Sequence, residues 1–490
     1  MSAKGWIGLL IVAAIVVAAA ASATPLEPER PTTSTNRELV CLDCHRQPNV
    51  NTNEGVAVSR AFCLSCHDDQ ARSLRTAGER KVSLQVREVS FQGSPHQYVA
   101  CVHCHTDVAR SPHRTDAGAQ CRACHTVHGE GVAHAPHLRV DCQACHYTHD
   151  TVVLDATANR IRLASVVPEP TLTEIATGHV NHALQDLADG QSCRRCHHAQ
   201  NTVGAPAAVL PAKSLLCIVC HPSPAAVGHP LFMLAGLVAL IGFFLMVRFW
   251  LIGSVQGEAD SLHRKISLAS EAVWGALFSR KMLTVLKTLL LDIILQRRIL
   301  KESVQRWSMH SLIFIAIVAR FGLSLFTGLL ISIYPDSELA LALIDKNHPV
   351  TAFTYDFLGI LILLGIIWAM VQRLIIKPAH VMTEIQDNIT LGLIGLLVLL
   401  GFVTTGARIL LTGIPSEMAI NSFIGFPVSV MLNWLPLDWR LVYPWLWYAH
   451  AAVGAVFIAY LPYGKLKHMF NVPLTYLLEE VDGTQKTKRV

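Results

Sequence analysis

Residues 142–146 read Cys-Gln-Ala-Cys-His, and the same Cys-x-x-Cys-His spacing occurs seven times between residues 41 and 221. The seven copies use all 14 cysteines of the 490-residue chain. The cysteine pairs are Cys41 and Cys44, Cys63 and Cys66, Cys101 and Cys104, Cys121 and Cys124, Cys142 and Cys145, Cys193 and Cys196, and Cys217 and Cys220. The histidines that follow them are His45, His67, His105, His125, His146, His197 and His221. This repeat therefore decides the chemistry of the first half of the chain.

The spacing of the repeat suits covalent haem. Two thiols three positions apart can add to the two vinyl groups of one haem, and the next residue places an imidazole on the iron. Zinc sites and disulfides also use cysteine pairs, but neither requires His directly after the second Cys. With 24 His in 490 residues, seven such histidines arise by chance with a probability on the order of 10⁻⁹. We therefore expect seven c haems, each with a proximal ligand.

The two halves of the chain differ in kind. The cysteines end at Cys220, and Leu, Ile, Val, Phe and Ala dominate after Pro230. The net charge of +5 is small for this length, so nucleic acid is not an expected partner. Residues 1–23 have the pattern of a secretory signal peptide, with a retained anchor as the alternative. We expect the following parts: a periplasmic haem c domain over residues 24–228, a membrane cytochrome b domain over 229–473, and a cytoplasmic tail over 474–490.

The haem c domain should be haem-packed and mostly irregular or α-helical. The first cysteines of successive motifs lie only 20 to 51 residues apart, too close for each haem to have its own protein core. The longest interval contains a Val-, Ile- and Thr-rich stretch that predicts a small hairpin. No Met lies between Met1 and Met233, so we expect bis-His ligation. Of 11 spare histidines, our favoured distal ligands are His96, His128, His149 and His182.

Five apolar runs in the second half are long enough to cross a bilayer. They are Leu231–Ile252, Trp307–Ile333, Ala352–Ile376, Ile389–Thr412 and Leu441–Tyr463. Basic residues cluster between residues 253 and 306, whereas the loops at the other ends of the spans hold only Lys346 and Arg440. By the positive-inside rule, the sequence predicts an all-α, five-helix domain in a bacterial cytoplasmic membrane, with the haem c domain on the periplasmic side.

Three histidines of the membrane domain are candidate haem b ligands. His310 and His450 lie within predicted spans, and His468 follows the last span. A lone His on a helix more often packs or forms a hydrogen bond, but a ligating residue inside a span is a functional candidate. His450 and His468 are 18 residues apart, which separates them by roughly 27 Å along one helix face. His310 should lie at the depth of His468, so we predict that these two hold an inner b haem.

Three stretches carry a family resemblance: Arg306-Trp-Ser-Met-His310, Lys377-Pro378, and residues 448–468. They resemble the five-span cytochrome b of the nitrate reductase gamma family, and more closely its branch in heterodisulfide reductase-like complexes. The resemblance covers about residues 230–473 and implies quinol chemistry, b haems between the second and fifth spans, and transfer to a partner.

This sequence departs from the resemblance at one ligand position. In the nitrate reductase branch a second His follows on the second span, where this chain has Arg320, which cannot ligate iron. His348 is our substitute partner for His450. Arg320 and His348 are also candidates for a quinone site or a haem-propionate contact. Whether the domain holds one b haem or two stays open.

These features together predict a membrane-bound multihaem b/c cytochrome that transfers electrons between the quinol pool and periplasmic acceptors. The chain would be a quinol dehydrogenase or the electron-transfer subunit of an oxidoreductase complex. Its cofactors would be seven covalent c haems and one or two b haems, with quinone as substrate. Its partners would be the quinone pool, a periplasmic cytochrome or reductase, and a cytoplasmic iron–sulfur subunit. Two alternatives stay open: reverse flow from periplasmic carriers to quinone or to a heterodisulfide reductase-like iron–sulfur partner, and a terminal reductase at an open haem c.

Overall fold

The structure is a computed structural model in which the chain divides into two compact units. The described residues are 52–68, 73–75, 81–83, 85–90, 92, 94–105, 119, 121, 124–125, 137–147, 151–164, 183–184, 191–253, 255, 259–279, 281–335, 337–377 and 384–482. Among them, the c unit comprises residues 52–209 with Thr412–Pro415, and the membrane unit comprises residues 210–411 and 416–482. The predicted signal peptide over residues 1–23 lies outside the described residues.

Short helices and two hairpins make up the described part of the c unit. The helices are α1 (Asn53–His67), α2 (Cys101–Cys104), α3 (Cys142–His146) and α4 (Gln191–Arg194), with a 3₁₀ turn at Glu88–Ser90. The antiparallel strand pairs are β1 (Ser73–Arg75) with β2 (Lys81–Ser83), and β3 (Val152–Asp155) with β4 (Arg160–Leu163). This is the mostly irregular and helical fold that the short motif spacing predicts.

Several Cys-x-x-Cys-His motifs close as one helical turn. The backbone N–H of the histidine donates to the carbonyl of the first cysteine at 2.9 Å for His105 and His125, 3.0 Å for His197 and 3.2 Å for His221. Residues three apart on a helical turn share a face. Both thiols of such a motif are therefore presented together, with the imidazole directly after them.

The hairpin predicted between the fifth and sixth motifs is β3–β4, in which Asp155 lies opposite Arg160. The Asp155 carboxylate closes the turn because it accepts hydrogen bonds from Thr157 N at 3.0 Å, Thr157 Oγ1 at 2.6 Å and Ala158 N at 3.1 Å. Arg162 adds an ion pair at 3.3 Å. The hairpin is confirmed, and a buried carboxylate organises its turn.

Five helices of the second unit are long and apolar enough to cross a membrane. They are α5 (Pro230–Trp250), α9 (Val304–Ile333), α11 (Pro349–Met370, continued by a π turn at Val371–Ile376), α12 (Ile385–Thr412) and α15 (Trp439–Tyr460). The shorter helices are α6 (Leu262–Leu277), α7 (Lys281–Thr288), α8 (Arg297–Glu302), α10 (Glu338–Ile344), α13 (Ser416–Ala419), α14 (Gly425–Asn433) and α16 (His468–Asp482). A π turn covers Leu289–Ile294, and 3₁₀ turns cover Leu215–Val219 and Lys465–Lys467. The five predicted spans are confirmed, with their ends only slightly shifted.

Small residues allow the long helices to approach closely. A Cβ added to Gly365 of α11 would lie 2.6 Å from Ile313 of α9, and one added to Gly359 would lie 2.6 Å from Phe402 of α12. Helices in lipid associate through such close packing, since lipid tails are as apolar as the side chains. Large apolar side chains such as Leu240 of α5 are exposed, which suits a surface that faces lipid.

The seventh motif folds with the membrane unit, which begins at Leu210 in this part of the chain. Leu216 and Cys220 pack on a core cluster that includes Ala239 of α5 and Ala316 of α9. This motif precedes the proposed domain boundary at residue 228 in sequence, but in the structure it is part of the membrane unit.

Candidate haem-binding sites

The described cysteines form neither disulfides nor metal clusters. Side chains are described for 11 cysteines, and none of these forms a disulfide. Within the described residues, no group of three or more His, Cys, Asp or Glu could hold a metal ion. A cysteine pair and a histidine on one turn instead fit the attachment of a haem. The predicted site residues outside the described set are Cys41, Cys44, His45, His128, His149 and His182, and the side chain of Cys66 is also not described.

Successive motifs of the c unit are neighbours in space. Thiols of successive motifs lie close enough to interact electrostatically or through a hydrogen bond. These pairs are Cys63–Cys101, Cys104–Cys124, Cys121–Cys142 and Cys145–Cys193. These pairs link the second to the sixth motif in the order of the chain. Such an arrangement suits a row of one-electron carriers, which must lie close to one another.

Two spare histidines approach proximal histidines. His96 Nε2 lies 3.4 Å from His125 Nε2, and the ring centroids are 5.7 Å apart. The rings of His137 and His197 have centroids 6.2 Å apart. Two metal–imidazole bonds of about 2 Å each separate the ligating nitrogens by roughly 4 Å. The Nε2 atoms of His96 and His125 are therefore close to the spacing that one iron between two imidazoles requires. The ring centroids of His137 and His197 lie at a distance similar to those of His96 and His125.

His197 is oriented as a metal ligand should be. Its Nδ1 lies 3.0 Å from the Pro206 carbonyl, to which Nδ1–H can donate, and this leaves Nε2 for a metal. Burial lowers the pKa of His197, which favours the neutral imidazole that binds metals. His96 is a distal ligand predicted from sequence. His137 was only one of 11 spare histidines, and no local pattern marks a partner that lies far along the chain.

The membrane unit brings His310 of α9 and the first residue of α16, His468, together, with ring centroids 6.1 Å apart. His310 Nδ1 lies 3.1 Å from Gln296 Oε1, which also accepts a hydrogen bond from Ser311 Oγ at 3.1 Å. His468 Nδ1 lies 2.5 Å from the Lys465 carbonyl. Both rings can thus donate from Nδ1 and keep Nε2 for a metal, as histidine ligands usually do. The residues present fit a b haem.

Gln296 is held in place by an unusual backbone segment. It lies between the π turn and α8 with φ of 54° and ψ of 39°, and it is 3 % exposed. Asp292 in the π turn pairs with Arg297 through two contacts of 2.7 and 2.9 Å. π turns are often found at functional positions. The sequence predictions did not include Gln296, because nothing in its neighbourhood signals a contact with His310.

Arg320 connects the membrane helices to the seventh motif. Its Nε donates to the Cys220 carbonyl at 3.3 Å, and its guanidinium carbon lies 5.2 Å from the centre of the Tyr355 ring. Arg320 therefore holds the backbone of the seventh Cys-x-x-Cys-His motif against α9 and α11.

His221, the histidine of the seventh motif, shares its surroundings with His450. Burial, then Lys213 and Lys346, and after them His450 and Arg320, lower the pKa of His221 well below its usual value. Lys346, Arg320 and Lys213 also act on His450. In both histidines Nδ1 is buried without a hydrogen bond to the described residues.

His348 lies at the start of α11. Its side chain does not cap the helix, and its Nδ1 is buried without a hydrogen bond in the described part of the chain. The ring contacts of the described residues do not include a His348–His450 pair. The pairing of these two histidines stays a prediction.

Two family models match different parts of the chain. The model of HdrE, a component of dihydromethanophenazine:CoB--CoM heterodisulfide reductase, matches residues 286–476, and a cytochrome c3 model matches residues 34–125. The chain fuses a cytochrome c3 domain to an HdrE-like cytochrome b domain. The predicted resemblance to heterodisulfide reductase-like complexes is thus confirmed. The HdrE-like domain carries His310, Arg320, His348, His450 and His468, whereas α5 and the seventh motif precede the matched residues.

The HdrE-like domain also matches individual relatives. It is 29 % identical over 198 residues to the HdrE component of the dihydromethanophenazine:CoB--CoM heterodisulfide reductase of Methanosarcina thermophila, and 28 % identical over 203 residues to that of Methanosarcina barkeri. These matches cover 39 % and 40 % of this chain, which spans 66 % of the length of each relative. No solved structure matches the chain. The matched HdrE residues include four of the five helices that are long and apolar enough to cross a membrane.

Proposed function

We propose that this chain transfers electrons across a membrane, between a quinol-type carrier in the bilayer and acceptors on the side of the c unit. In this role it is the quinol-oxidising subunit of a respiratory oxidoreductase. Bound haems would supply one-electron transfer, while the protein sets their ligation, spacing and surroundings. One observation carries the proposal: a single unit contains both the His310–His468 pair and the seventh haem c motif.

The site geometry and the sequence motifs support the proposed ligands. His310 and His468 hold a b haem, and each of the seven motifs holds one c haem. His96 completes the ligation at His125, and His137 completes it at His197. Distal imidazoles at these positions favour low-potential, six-coordinate c haems, since a methionine axial ligand, which would raise the potential, is replaced by histidine.

The charge distribution supports one orientation. Helices α6, α7 and α8 lie in the basic segment between the first two spans, which the positive-inside rule assigns to the cytoplasm. The c unit is then periplasmic in a bacterial cytoplasmic membrane. His348, at the start of α11, lies on the periplasmic side in this orientation. Its unpaired, buried Nδ1 makes it our candidate for a quinone site.

The test is the reduction of the purified full-length protein by a soluble quinol analogue, with c and b haem absorbance followed by stopped flow. We expect His468→Ala to lose the non-covalent haem, keep every c haem attached and stop the quinol-driven reduction of the c haems. The matched control is His263→Ala, which changes an exposed histidine of α6 and should behave as wild type. Reduction of the c haems at the wild-type rate in His468→Ala would contradict the proposal.

The similarity to a component of heterodisulfide reductase favours a second function. Electrons would flow the other way, from periplasmic carriers to the quinone pool or to a cytoplasmic iron–sulfur partner that docks on α6, α7 and α8. Proteoliposomes with the c unit outward distinguish the two directions. Reduction of an enclosed quinone by an external, membrane-impermeant donor would favour this second function.

A further inference from the structure

We propose that His450 is the second axial ligand of the c haem attached at Cys217 and Cys220. The outer haem of the HdrE-like domain would then be a covalently anchored c haem, and His310 and His468 would hold the b haem alone. The inference deepens the proposed function and rests on its assignment of one c haem to each motif.

The seventh motif is built into the membrane helices. The 3₁₀ turn at its start is capped by the buried Ser214, whose Oγ accepts a hydrogen bond from Leu216 N at 3.2 Å. Gly228 allows the returning chain to approach, since its φ is 75° and an added Cβ would lie 2.8 Å from Ser214 N. The chain then enters α5, where His229 caps the helix through Leu231 N. This local structure fixes the motif relative to the first span.

The two cysteines contact different helices of the bundle. Cys217 packs against a cluster that contains Ala451 and Ala455, so it lies beside the segment of α15 that carries His450. Cys220 packs on the larger core, and its carbonyl accepts the hydrogen bond from Arg320 of α9. The motif is therefore placed between α9 and α15, the two helices that carry candidate haem ligands.

Arg320 of α9 acts on His450. An arginine cannot bind iron, and this one instead donates to the backbone of the seventh motif. His450 acts electrostatically on His221, and the two share the same neighbouring cations. Nδ1 of His450 forms no hydrogen bond with a described residue, although the Leu397 carbonyl interacts electrostatically with the ring. His221 and His450 are thus two neighbouring imidazoles in one charged environment.

The charges around this pair suit a haem that carries propionates. Lys213, Lys346 and Arg320 all act on both His221 and His450. The strongest influence that lowers the pKa of Lys346 is the charge of Lys213. Three cations near one another repel, and two carboxylates would offset that repulsion. A b haem would bring the same carboxylates, but only a c haem is covalently fixed at Cys217 and Cys220.

Haem content and spin state test the assignment without any quinol. We expect one non-covalent haem for every seven covalent haems in the wild type by pyridine haemochrome analysis. His450→Ala should keep both numbers, while one of the seven c haems changes from low spin to high spin by electron paramagnetic resonance. Two non-covalent haems in the wild type, or the loss of one in His450→Ala, would overturn the assignment.

Two further variants guard against misfolding and against the other ligand candidate. His450→Met keeps a ligand of similar size and should create a near-infrared His–Met band that is absent from the wild type. If His450→Ala does not accumulate, failure of this band to appear in His450→Met overturns the assignment. His348→Ala should leave the haem content and the spin states unchanged. Loss of a non-covalent haem in this variant would indicate a b haem held between His348 and His450, and it would contradict the proposal. If the protein has the expected haem content and spin states but quinol does not reduce it, the proposed function is contradicted and the ligand assignment is not.

Discussion

Arg320 Nε donates a hydrogen bond to the carbonyl of Cys220, 100 positions earlier in the chain, at a distance of 3.3 Å. This contact ties a helix of the HdrE-like domain to a haem-attachment motif that the matched family residues do not include. We expect the Arg320 side chain to position the backbone of the seventh motif.

Replacing Arg320 should change the redox properties of the nearby haem. We expect Arg320→Leu to lower the midpoint potential of one c haem by tens of millivolts, because a lost positive charge disfavours the reduced state. The hydrogen bond from a charged donor also contributes about 1.5–3 kcal/mol to stability. Potentiometric titration of the c-haem absorbance measures the shift. Arg306→Leu is the control on the same helix, since its side chain is 61 % exposed. Equal potentials in the two variants would contradict the positioning role.

Gln296 should control how tightly the b haem is held. Gln296→Ala removes the acceptor for His310 Nδ1 and Ser311 Oγ. Loss of such a partner usually weakens metal or cofactor binding by about 10–100-fold. We expect the variant to lose b haem during dilution and to keep all covalent haem, as measured by pyridine haemochrome analysis. Gln305→Ala, an exposed position on α9, should retain b haem.

His137 should be an axial ligand in the c unit. In His137→Ala we expect one c haem to become high spin while the covalent haem content is unchanged, because its ring is 6.2 Å from that of His197. Electron paramagnetic resonance of the oxidised protein detects the change. The neighbour of His197 supplies the control: His198 is exposed, and His198→Ala should leave every haem low spin. A wild-type spectrum for His137→Ala would remove His137 from the ligand set.

The turn of the β3–β4 hairpin should be sensitive to acid. Burial opposes ionisation of Asp155, but hydrogen bonds from Thr157 and Ala158 and the charge of Arg162 prevail and lower its pKa. A carboxylate with a lowered pKa stabilises the folded state above its unfolded pKa of about 3.9, and that stability is lost as the pH falls through the folded pKa. We expect the hydrogen-exchange protection factors of the Thr157 and Ala158 amides of the full chain, taken relative to the intrinsic exchange rate at each pH, to fall below about pH 4. Asp155→Asn should exchange faster at neutral pH and lack this acid step.

Covalent loading gives a simple overall check. Seven haems add on the order of 4.3 kDa to the mature polypeptide. Mass spectrometry of the purified chain after acid–acetone extraction should show this full increase. Fewer retained haems would mean that a motif is not loaded.

Sequence reasoning succeeded where the signal is local or periodic. The Cys-x-x-Cys-His motifs are local, the five spans follow from long apolar runs, and the depth argument paired His310 with His468, whose rings the structure brings to 6.1 Å. The hairpin after the fifth motif was also evident from its composition.

The remaining features depend on contacts between distant residues. Nothing near Cys220 in the sequence indicates that Arg320 will bind its carbonyl, and Gln296 reaches His310 only because of its left-handed backbone between two helical segments. The motif spacing suggested that all seven c haems share one domain. Packing of Leu216 and Cys220 on the helix bundle instead places the last motif in the membrane unit.

The location of the seventh motif also constrains the order in which the protein matures. Cys217 and Cys220 are half-buried among α5, α9 and α15, so the closed bundle restricts the access of an enzyme that attaches haem to these thiols. We therefore expect attachment at this motif to precede the docking of α15, which is synthesised last of the five spans. In pulse-labelled cells, haem should appear on this motif before α15 becomes protected from protease.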